Sequence, residues 1–290
     1  MSDVGDGANA LGHFRQSTRF YEVILFAMTV EHFEFKNSNG LRLAALLDRP
    51  SDEPAAYALF AHCFTCGKNN RAASRIAHAL AARGIAVVRF DFTGLGASEG
   101  EFANAGFSAN VADLVAAADH LRRTHRAPAM LIGHSLGGAA VLGAAAQVPE
   151  ARAVVTIAAP ADPLHAIELF KDRISEINER GEAEVVLGSR TFRIRREFLE
   201  DLSGQRLAER ISRLQRALLI FHAPGDDTVG IEQANRIFTA AKHSKSFISL
   251  ADADHLLSRK YDADYVGNVI AAWSERYLDN AAPVGVNERK

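Results

Sequence analysis

The chain has 290 residues and a formal net charge of −2. This length is close to the upper limit for one hydrophobic core, so we expect one domain with a modest insertion. The balanced charge gives no electrostatic reason to expect nucleic acid or a membrane as a partner, and no apolar run approaches the roughly 20 residues that span a bilayer.

Residues 1–27 differ from the rest of the chain. The first ten are rich in Gly, Asp, Ala and Asn, a composition that favours disorder. The apolar stretch 23–30 is short, follows a long polar leader and precedes no small-residue cleavage site, which argues against a signal peptide. We expect a disordered or dispensable extension. A protein that starts at Met28 should fold and keep its activity, and loss of soluble expression would contradict this.

From residue 31 onward, strand and helix patterns alternate. Residues 32–36 and 41–47 alternate apolar and polar side chains around Asn37-Ser38-Asn39-Gly40, which predicts a hairpin. Further strands are predicted at 56–61, 85–90, 129–132, 153–158, 217–221 and 246–250, and helices at 71–83, 110–125, 139–147, 231–242 and 263–277. This alternation predicts an α/β fold with a mainly parallel, doubly wound sheet and an antiparallel hairpin at its N-terminal edge.

The alternation lapses between residues 161 and 215. Helical patterns at 163–178 and 198–207 flank a short hairpin of 184–187 and 191–194. A segment of roughly 50 residues is too long for a plain connection. We therefore expect a core formed by 28–160 and 216–290 and a small lid insertion at 161–215. A surface insertion without function is the alternative.

The sequence Gly133-His134-Ser135-Leu136-Gly137 lies between the apolar strand 129–132 and an Ala/Gly-rich helix. Strand, tight turn and helix are the context that defines a nucleophile elbow. The two glycines leave room for a strained turn that exposes the serine hydroxyl. The N-terminus of the following helix points its NH groups at the place where negative charge would develop.

A serine hydroxyl needs a base and a group that orients the base. In open α/β sheets such groups lie at the carboxyl ends of strands. Strand 217–221 runs into Gly225-Asp226-Asp227-Thr228-Val229, and strand 246–250 runs into Asp254-His255. The chain order serine, acid, histidine suits a nucleophile elbow.

These motifs resemble the α/β-hydrolase family over residues 31–278. The resemblance rests on the elbow, the Asp91–Gly100 loop with its spaced glycines, the acid loop and Asp254-His255. Residues 60–66 and 90–96 are most similar to bacterial serine hydrolases that occur alone or fused to an OsmC-type domain. The resemblance implies an α/β-hydrolase fold and a functional link to an OsmC-type protein.

The resemblance also implies roles for individual residues. Ser135 is the nucleophile, His255 the general base and Asp226 the group that orients His255. Asp227 is the rival acid, but the family places the acid three residues before the valine, here Val229. The oxyanion hole is expected from two backbone NH groups, that of Leu136 and, by family position, that of Phe64, with Cys63 second.

Several other polar residues near the strand ends have less specific interpretations. His62 is interpreted as a histidine bonded to the Asp91 loop, with a supporting role in the site as the alternative, and Asp91 as a structural residue. His134 and His222 are interpreted as packing residues.

The two cysteines form Cys63-x-x-Cys66. This usage predicts a reducing compartment, no disulfide framework and two small residues in a tight loop. A redox pair or half of a metal site is the alternative.

The sequence thus predicts a cytoplasmic serine hydrolase without cofactor or metal, acting on a small carboxylic ester, thioester or amide through an acyl-enzyme on Ser135. One alternative is a thiol redox or binding module that uses Cys63 and Cys66 beside an OsmC-type partner. Another is an acyltransferase or perhydrolase with the same three residues. The partner is expected to be a small acyl substrate, not nucleic acid or membrane, and the oligomeric state stays open. The apolar side chains of the lid favour an apolar acyl chain.

Overall fold

The computed structural model describes residues 28–187 and 190–278. The predicted extension at 1–27 lies outside these ranges, as do the first two residues, 188 and 189, of the predicted turn at 188–190.

The described residues form ten strands: β1 (Met28–Lys36), β2 (Arg42–Pro50), β3 (Ala56–Ala61), β4 (Ile85–Phe90), β5 (Met130–His134), β6 (Ala153–Ile157), β7 (Glu182–Leu187), β8 (Arg190–Arg195), β9 (Ala217–His222) and β10 (Lys245–Ser249). Eight of them make one sheet in the order β1-β2-β4-β3-β5-β6-β9-β10. The β1–β2 and β2–β4 pairs are antiparallel, and all the other pairs in this sheet are parallel. The mainly parallel sheet with an antiparallel N-terminal hairpin is therefore confirmed.

The described α-helices are α1 (Arg71–Ala81), α2 (Phe107–Thr124), α3 (Leu136–Ala144), α4 (Ile174–Arg180), α5 (Arg196–Ser203), α6 (Leu207–Ser212), α7 (Ile231–Ala240) and α8 (Lys260–Leu278). Helices α1 and α8 pack on one face of the sheet, and α2, α3 and α7 pack on the other. Strand β3 shows why both faces must be apolar. Its Ala58 and Phe60 side chains lie in the core on the side of α1 and α8, and Leu59 and Ala61 lie in the core on the side of α2, α3 and α7.

Helices α2 and α3 begin three residues earlier than expected, as does α8, which begins at Lys260 rather than at 263. Helix α3 begins at Leu136 rather than at 139, because the NH group of Gly138 already bonds the carbonyl of Ser135 at 2.8 Å and closes the first turn at the serine. Helix α2 begins at Phe107 rather than at 110. Its first turn is held by the distant Asp201, whose carboxylate accepts the NH of Ser108 at 2.8 Å. The starts of α2 and α3 depend on contacts that periodicity does not encode.

The segment 161–215 departs most from expectation. The predicted helix 163–178 is instead a 3₁₀ segment, Pro163–Arg173, that is interrupted at Phe170 and followed by α4. Strands β7 and β8 form the predicted hairpin as a separate two-stranded sheet. The side chains of Phe170, Phe192 and Phe198 are buried in the same core layer as α2 and α3. Burial of these aromatic side chains holds the segment against the core.

Candidate active site

Ser135 lies at the tip of the sharp turn between β5 and α3. Its backbone has φ 54° and ψ −127°, a conformation that is strained for a residue with a side chain. A Cβ atom on Gly133 would lie 2.2 Å from the carbonyl oxygen of Gly137. A Cβ atom on Gly137 would lie 2.4 Å from the carbonyl oxygens of Ala61 and His62. The predicted steric role of both glycines is confirmed, because the turn closes only where neither residue has a side chain.

The structure brings the side chains of Ser135, Asp226 and His255 together. Nε2 of His255 lies 2.9 Å from Oγ of Ser135, and Nδ1 of the same ring lies 2.8 Å from Oδ2 of Asp226. Asp226 follows β9 and His255 follows β10, so adjacent parallel strands deliver both side chains to the sheet edge where the elbow lies. This row of groups can pass a proton from the hydroxyl to the imidazole.

The hydrogen bonds around Asp226 stabilise its ionised form. Burial alone would raise the pKa of its carboxyl, but hydrogen bonds from His255 and from the NH groups of Val229 and Thr228 hold the pKa below its ordinary 3.8. The rival Asp227 is exposed and accepts a hydrogen bond from the Thr228 hydroxyl. Among the described residues, only Asp226 places a carboxylate against the His255 ring.

Asp254, the other carboxylate beside His255 in sequence, is turned away from it. It is exposed, and it accepts the NH of Ser258 at 2.9 Å. The carboxylate that contacts the His255 ring is therefore that of Asp226.

Two buried histidines hold the loops that carry Asp226 and His255. Nε2 of His134 lies 2.7 Å from the backbone carbonyl oxygen of His255. Nε2 of His222 lies 2.6 Å from the carbonyl oxygen of Val229, in the Asp226 loop. Burial and the nearby His255 lower the pKa of His134 to about 4, so its ring is neutral at neutral pH and Nε2–H donates. Both histidines were predicted to be packing residues. The feature of the sequence that indicates a hydrogen-bonding role is a polar ring at the end of a buried strand.

His62 does not make the predicted bond to the Asp91 loop. Its Nδ1 instead donates to the carbonyl of Cys63 at 2.8 Å, and its ring packs edge-on against Phe92, with 4.9 Å between centroids. Burial lowers the pKa of His62, which keeps the ring neutral. The prediction failed because the carboxylate of Asp91 is occupied by Lys68, through the backbone NH at 2.7 Å and through Nζ at 2.5 Å.

The loop after β3 carries the second expected oxyanion donor, Phe64. Within the part of the chain that the structure describes, the backbone NH groups of Phe64 and Leu136 donate to no other group. Both residues border the small cavity beside Ser135. Two unengaged NH groups next to a nucleophile can stabilise a developing oxyanion.

The expectation of no disulfide framework is wrong for this pair of cysteines. A turn in which the NH of Cys66 bonds the carbonyl of Cys63 brings their Cα atoms to 5.3 Å, and the two sulfur atoms are joined in a disulfide. The bond spans the loop that presents Phe64. It also removes cysteine usage as an argument for a reducing compartment.

A cavity of about 20 Å³ lies directly beside the Ser135 hydroxyl. Its walls come from the β3 loop, the elbow, the end of β6, the 3₁₀ segment and the acid loop. The lining residues are Phe64, Ser135, Leu136, Pro160, His165, Ala166, Leu169, Thr228 and Val229.

No group of three or more potential metal-ligating side chains occurs in the described residues. None of the helices described has the length and apolar character needed to cross a bilayer.

Comparisons with known proteins agree with this architecture. Residues 53–181 match the family model described as serine aminopeptidase, S33. The esterase domain of a Rhodothermus marinus protein is 49% identical, with a TM-score of 0.72 over 87% of this chain and 100% of that domain. A comparison with curated proteins found no match. On the evidence of the Rhodothermus domain, the chain belongs to the α/β-hydrolase family and is a hydrolase of that family.

More distant solved structures share the fold. Est1E from Butyrivibrio proteoclasticus with bound ferulic acid is 19% identical, with a TM-score of 0.70 over 85% of this chain and 99% of that one. The mouse alpha/beta hydrolase domain-containing protein 10 is 22% identical, with a TM-score of 0.69 over 85% of this chain and 99% of that one. At these identities the comparison supports the architecture alone.

Proposed function

We propose that this protein is a serine hydrolase that cleaves a carboxylic ester through an acyl-enzyme on Ser135. The observation that carries the proposal is the continuous row from Oγ of Ser135 through the His255 ring to the Asp226 carboxylate, with contacts of 2.9 and 2.8 Å. Such a row can remove the hydroxyl proton while the oxygen attacks.

In the proposed first step, Ser135 Oγ attacks the acyl carbon and its proton moves to Nε2 of His255. The NH groups of Leu136 and Phe64 bind the oxyanion. The imidazolium, stabilised by Asp226, then gives the proton to the leaving group as the ester bond breaks. Water repeats the sequence on the acyl-enzyme, with His255 again taking a proton, and releases the acid and Ser135.

An ester is favoured over an amide or a thioester by similarity. The 49% identical Rhodothermus domain is described as an esterase domain. The matching family model is described as a serine aminopeptidase, which keeps amide cleavage as an alternative. Transfer of the acyl group to an acceptor other than water uses the same residues and is a further alternative.

A thiol redox or binding module is the candidate function from another class. The Cys63–Cys66 disulfide is the observation that favours it. Such a module would use the two cysteines and not Ser135, so the two proposals predict opposite behaviour of serine and cysteine variants.

Two measurements distinguish the serine hydrolase from the redox module: covalent labelling by a fluorophosphonate probe and turnover of p-nitrophenyl acetate. We expect the intact protein to be labelled and active, Ser135→Ala to lose both properties, and Cys63→Ser to keep labelling. If the intact protein is not labelled, while its disulfide is reduced by a dithiol and re-formed by exchange with the oxidised, disulfide form of that dithiol, the redox module is supported instead.

Cytoplasmic localisation and a link to an OsmC-type protein remain predictions from the sequence. The comparisons bear on neither, and the disulfide leaves the localisation without its argument from cysteine usage.

A further inference from the structure

The Cys63–Cys66 disulfide closes the turn that carries Phe64, whose NH group is the second proposed oxyanion donor. We propose that this disulfide positions the NH group of Phe64 for the reaction, so that reduction of the bond lowers turnover while the fold and the contacts of Ser135 stay in place. The inference rests on the proposed function. It gives the two cysteines a part in the serine reaction rather than a chemistry of their own.

Both ends of the loop after β3 are held by the core. At its start, the carbonyl oxygens of Ala61 and His62 lie against the elbow and leave no room for a Cβ atom on Gly137. At its end, the NH group of Lys68 donates to the buried carboxylate of Asp91 at 2.7 Å. These contacts fix where the loop begins and ends, and they leave the conformation between the two ends to other interactions.

The middle of the loop has few hydrogen bonds. In the part of the chain that the structure describes, neither Phe64 nor Thr65 bonds another backbone group. The NH group of Cys66 donates to the carbonyl of Cys63 at 3.1 Å. The carbonyl of Thr65 accepts from the exposed Arg190 at 3.4 Å, a distance at which a hydrogen bond is weak. The turn is therefore closed by one backbone hydrogen bond and by the disulfide.

Thr65 makes this turn unfavourable without the cross-link. It is the third of the four turn residues and has φ 62°, in the left-handed region that favours glycine at this position. A β-branched side chain is especially disfavoured there. Once the two sulfur atoms are no longer joined, Thr65 is free to return to a negative φ. The peptide planes of the turn rotate with it, and the NH group of Phe64 belongs to that turn.

The side chain of Phe64 does not by itself fix the direction of its NH group. Its ring packs against Phe102 and Phe198, with centroid distances of 5.4 and 5.7 Å. These contacts hold the ring, but the backbone can turn about the bonds between the ring and the Cα atom. An oxyanion donor must lie about 2.7–3.1 Å from the oxyanion, so a small rotation is enough to lose the interaction. The disulfide supplies the constraint that the ring contacts lack.

A dithiol such as dithiothreitol opens the bond by exchange. Cys66 is half-buried and Cys63 is 3% exposed, so the attacking thiolate reaches the sulfur of Cys66. It forms a mixed disulfide with Cys66 and releases Cys63 as a thiolate, which takes up a proton. The second thiol of the reagent then displaces Cys66, which leaves two protein thiols and the cyclic disulfide of the reagent. Exchange with this oxidised reagent reverses the sequence.

The first measurement compares the oxidised and the reduced protein. The chain has two cysteines in all, so thiol titration of the unfolded protein reports on this bond alone. After reduction and removal of the dithiol without air, kcat/KM for p-nitrophenyl butyrate should fall by about tenfold, less than the loss of about 10²–10³ on removal of a donor, because the displaced NH group stays nearby. Re-oxidation should restore the original value.

Two readouts distinguish positioning from damage to the fold. The Ki of a trifluoromethyl ketone, whose adduct with Ser135 carries an oxyanion, should rise about tenfold on reduction. The Ki of the methyl ketone with the same chain, which binds without forming an oxyanion, should not change. The pH profile of kcat/KM, which reports the titration of His255, should keep its position. Circular dichroism should show the same fold in both states.

Two variants test the physical cause. The double variant Cys63→Ser/Cys66→Ser should have the kcat/KM of the reduced protein and should not respond to the dithiol. Thr65→Asn has a residue that tolerates the left-handed region, so its reduced turn should keep its shape. We expect it to lose less than about threefold in kcat/KM on reduction.

An unchanged kcat/KM in protein with two titrated thiols would overturn the inference, as would an equal rise in the Ki of both ketones. Two thiols that disulfide exchange does not oxidise would also overturn it, as would equal losses in Thr65→Asn and the intact protein. Fluorophosphonate labelling of Ser135 in the oxidised protein keeps the two levels apart. With labelling intact, these results reject only the positioning role, whereas absence of labelling rejects the hydrolase proposal itself.

Discussion

A hydrogen bond of 2.7 Å joins the ring Nε2 of His134 to the backbone carbonyl of His255, 121 positions further along the chain. His134 is the residue directly before Ser135 in the elbow. The turn that presents the proposed nucleophile therefore also holds the segment that presents the proposed base. His222, the last residue of β9, bonds the carbonyl of Val229 and so holds the loop that carries Asp226 against the strand that it follows.

Replacement of His134 by Phe should uncouple the elbow from the His255 segment. The carbonyl of His255 would lose its donor, which costs about 1–3 kcal/mol of stability for a buried group. We expect kcat for p-nitrophenyl acetate to fall by about tenfold with KM little changed, because the ring positions His255 and does not border the cavity. His134→Gln, which retains an N–H donor, should recover part of kcat. A fall in stability with an unchanged kcat in His134→Phe would show that the bond serves folding alone.

The buried His134 ring should make the protein sensitive to mild acid. Its pKa is lowered from 6.5 to about 4, mainly by burial and next by the neighbouring His255. Between these values the unfolded chain binds a proton that the folded chain does not. The free energy of unfolding is therefore complete above about pH 6.5 and declines toward pH 4, by an amount on the order of 3 kcal/mol.

Urea unfolding of the intact protein and of His134→Gln at several pH values between 7 and 4 checks this expectation. The variant should show the shallower pH dependence. Burial also lowers the pKa of His62 and raises that of Asp113, but both contributions cancel in the difference between the two proteins. The carboxyls of Asp226 and Asp91 have lowered pKa values, so they change the free energy of unfolding only below about pH 4. Identical slopes for the two proteins would assign the acid sensitivity to another group.

Asp226 and its neighbour Asp227 offer a matched pair of variants. Asp226 bonds the His255 ring and two backbone NH groups, whereas Asp227 is exposed. Asp226→Asn should lower kcat by about 10⁴, because an amide neither stabilises the imidazolium nor keeps the ring in the required tautomer. Asp227→Asn should stay within about threefold of the intact protein, as expected for a surface substitution. Comparable losses in both variants would contradict the assignment of Asp226 as the orienting acid.

The backbone NH of Phe64 can be tested by a residue that has none. Phe64→Pro should lower kcat by about 10²–10³, the usual loss for one oxyanion donor. Phe64→Leu keeps the NH group and removes the ring contacts with Phe102 and Phe198, so it serves as the control for packing. Circular dichroism and thermal unfolding of both variants should show that the fold is retained. Equal activity of the two variants would exclude this NH group from the oxyanion hole.

Much of the architecture followed from the sequence alone. The strands around the site were predicted to within one or two residues, because a strand buried on both faces is an unbroken apolar run that depends on few distant contacts. The elbow was recognisable because its steric requirement, glycine on both sides of a strained Ser135, is local. The candidates Asp226 and His255 were found because parallel strands end at a common edge.

The remaining features were decided by contacts between distant segments. The early start of α2 depends on Asp201, and the position of Asp91 beside Lys68 left His62 to a different partner. The disulfide between Cys63 and Cys66 is local in the chain, but it depends on the turn geometry of their loop, which the spacing of the cysteines does not give. The 3₁₀ segment Pro163–Arg173 lines the cavity beside Ser135 because the 161–215 segment packs on the core, and this packing sets the size of the cavity. Periodicity and motifs record what each residue does along its own strand or helix, whereas the partner of a buried polar group and the volume of a cavity exist only once separate segments meet.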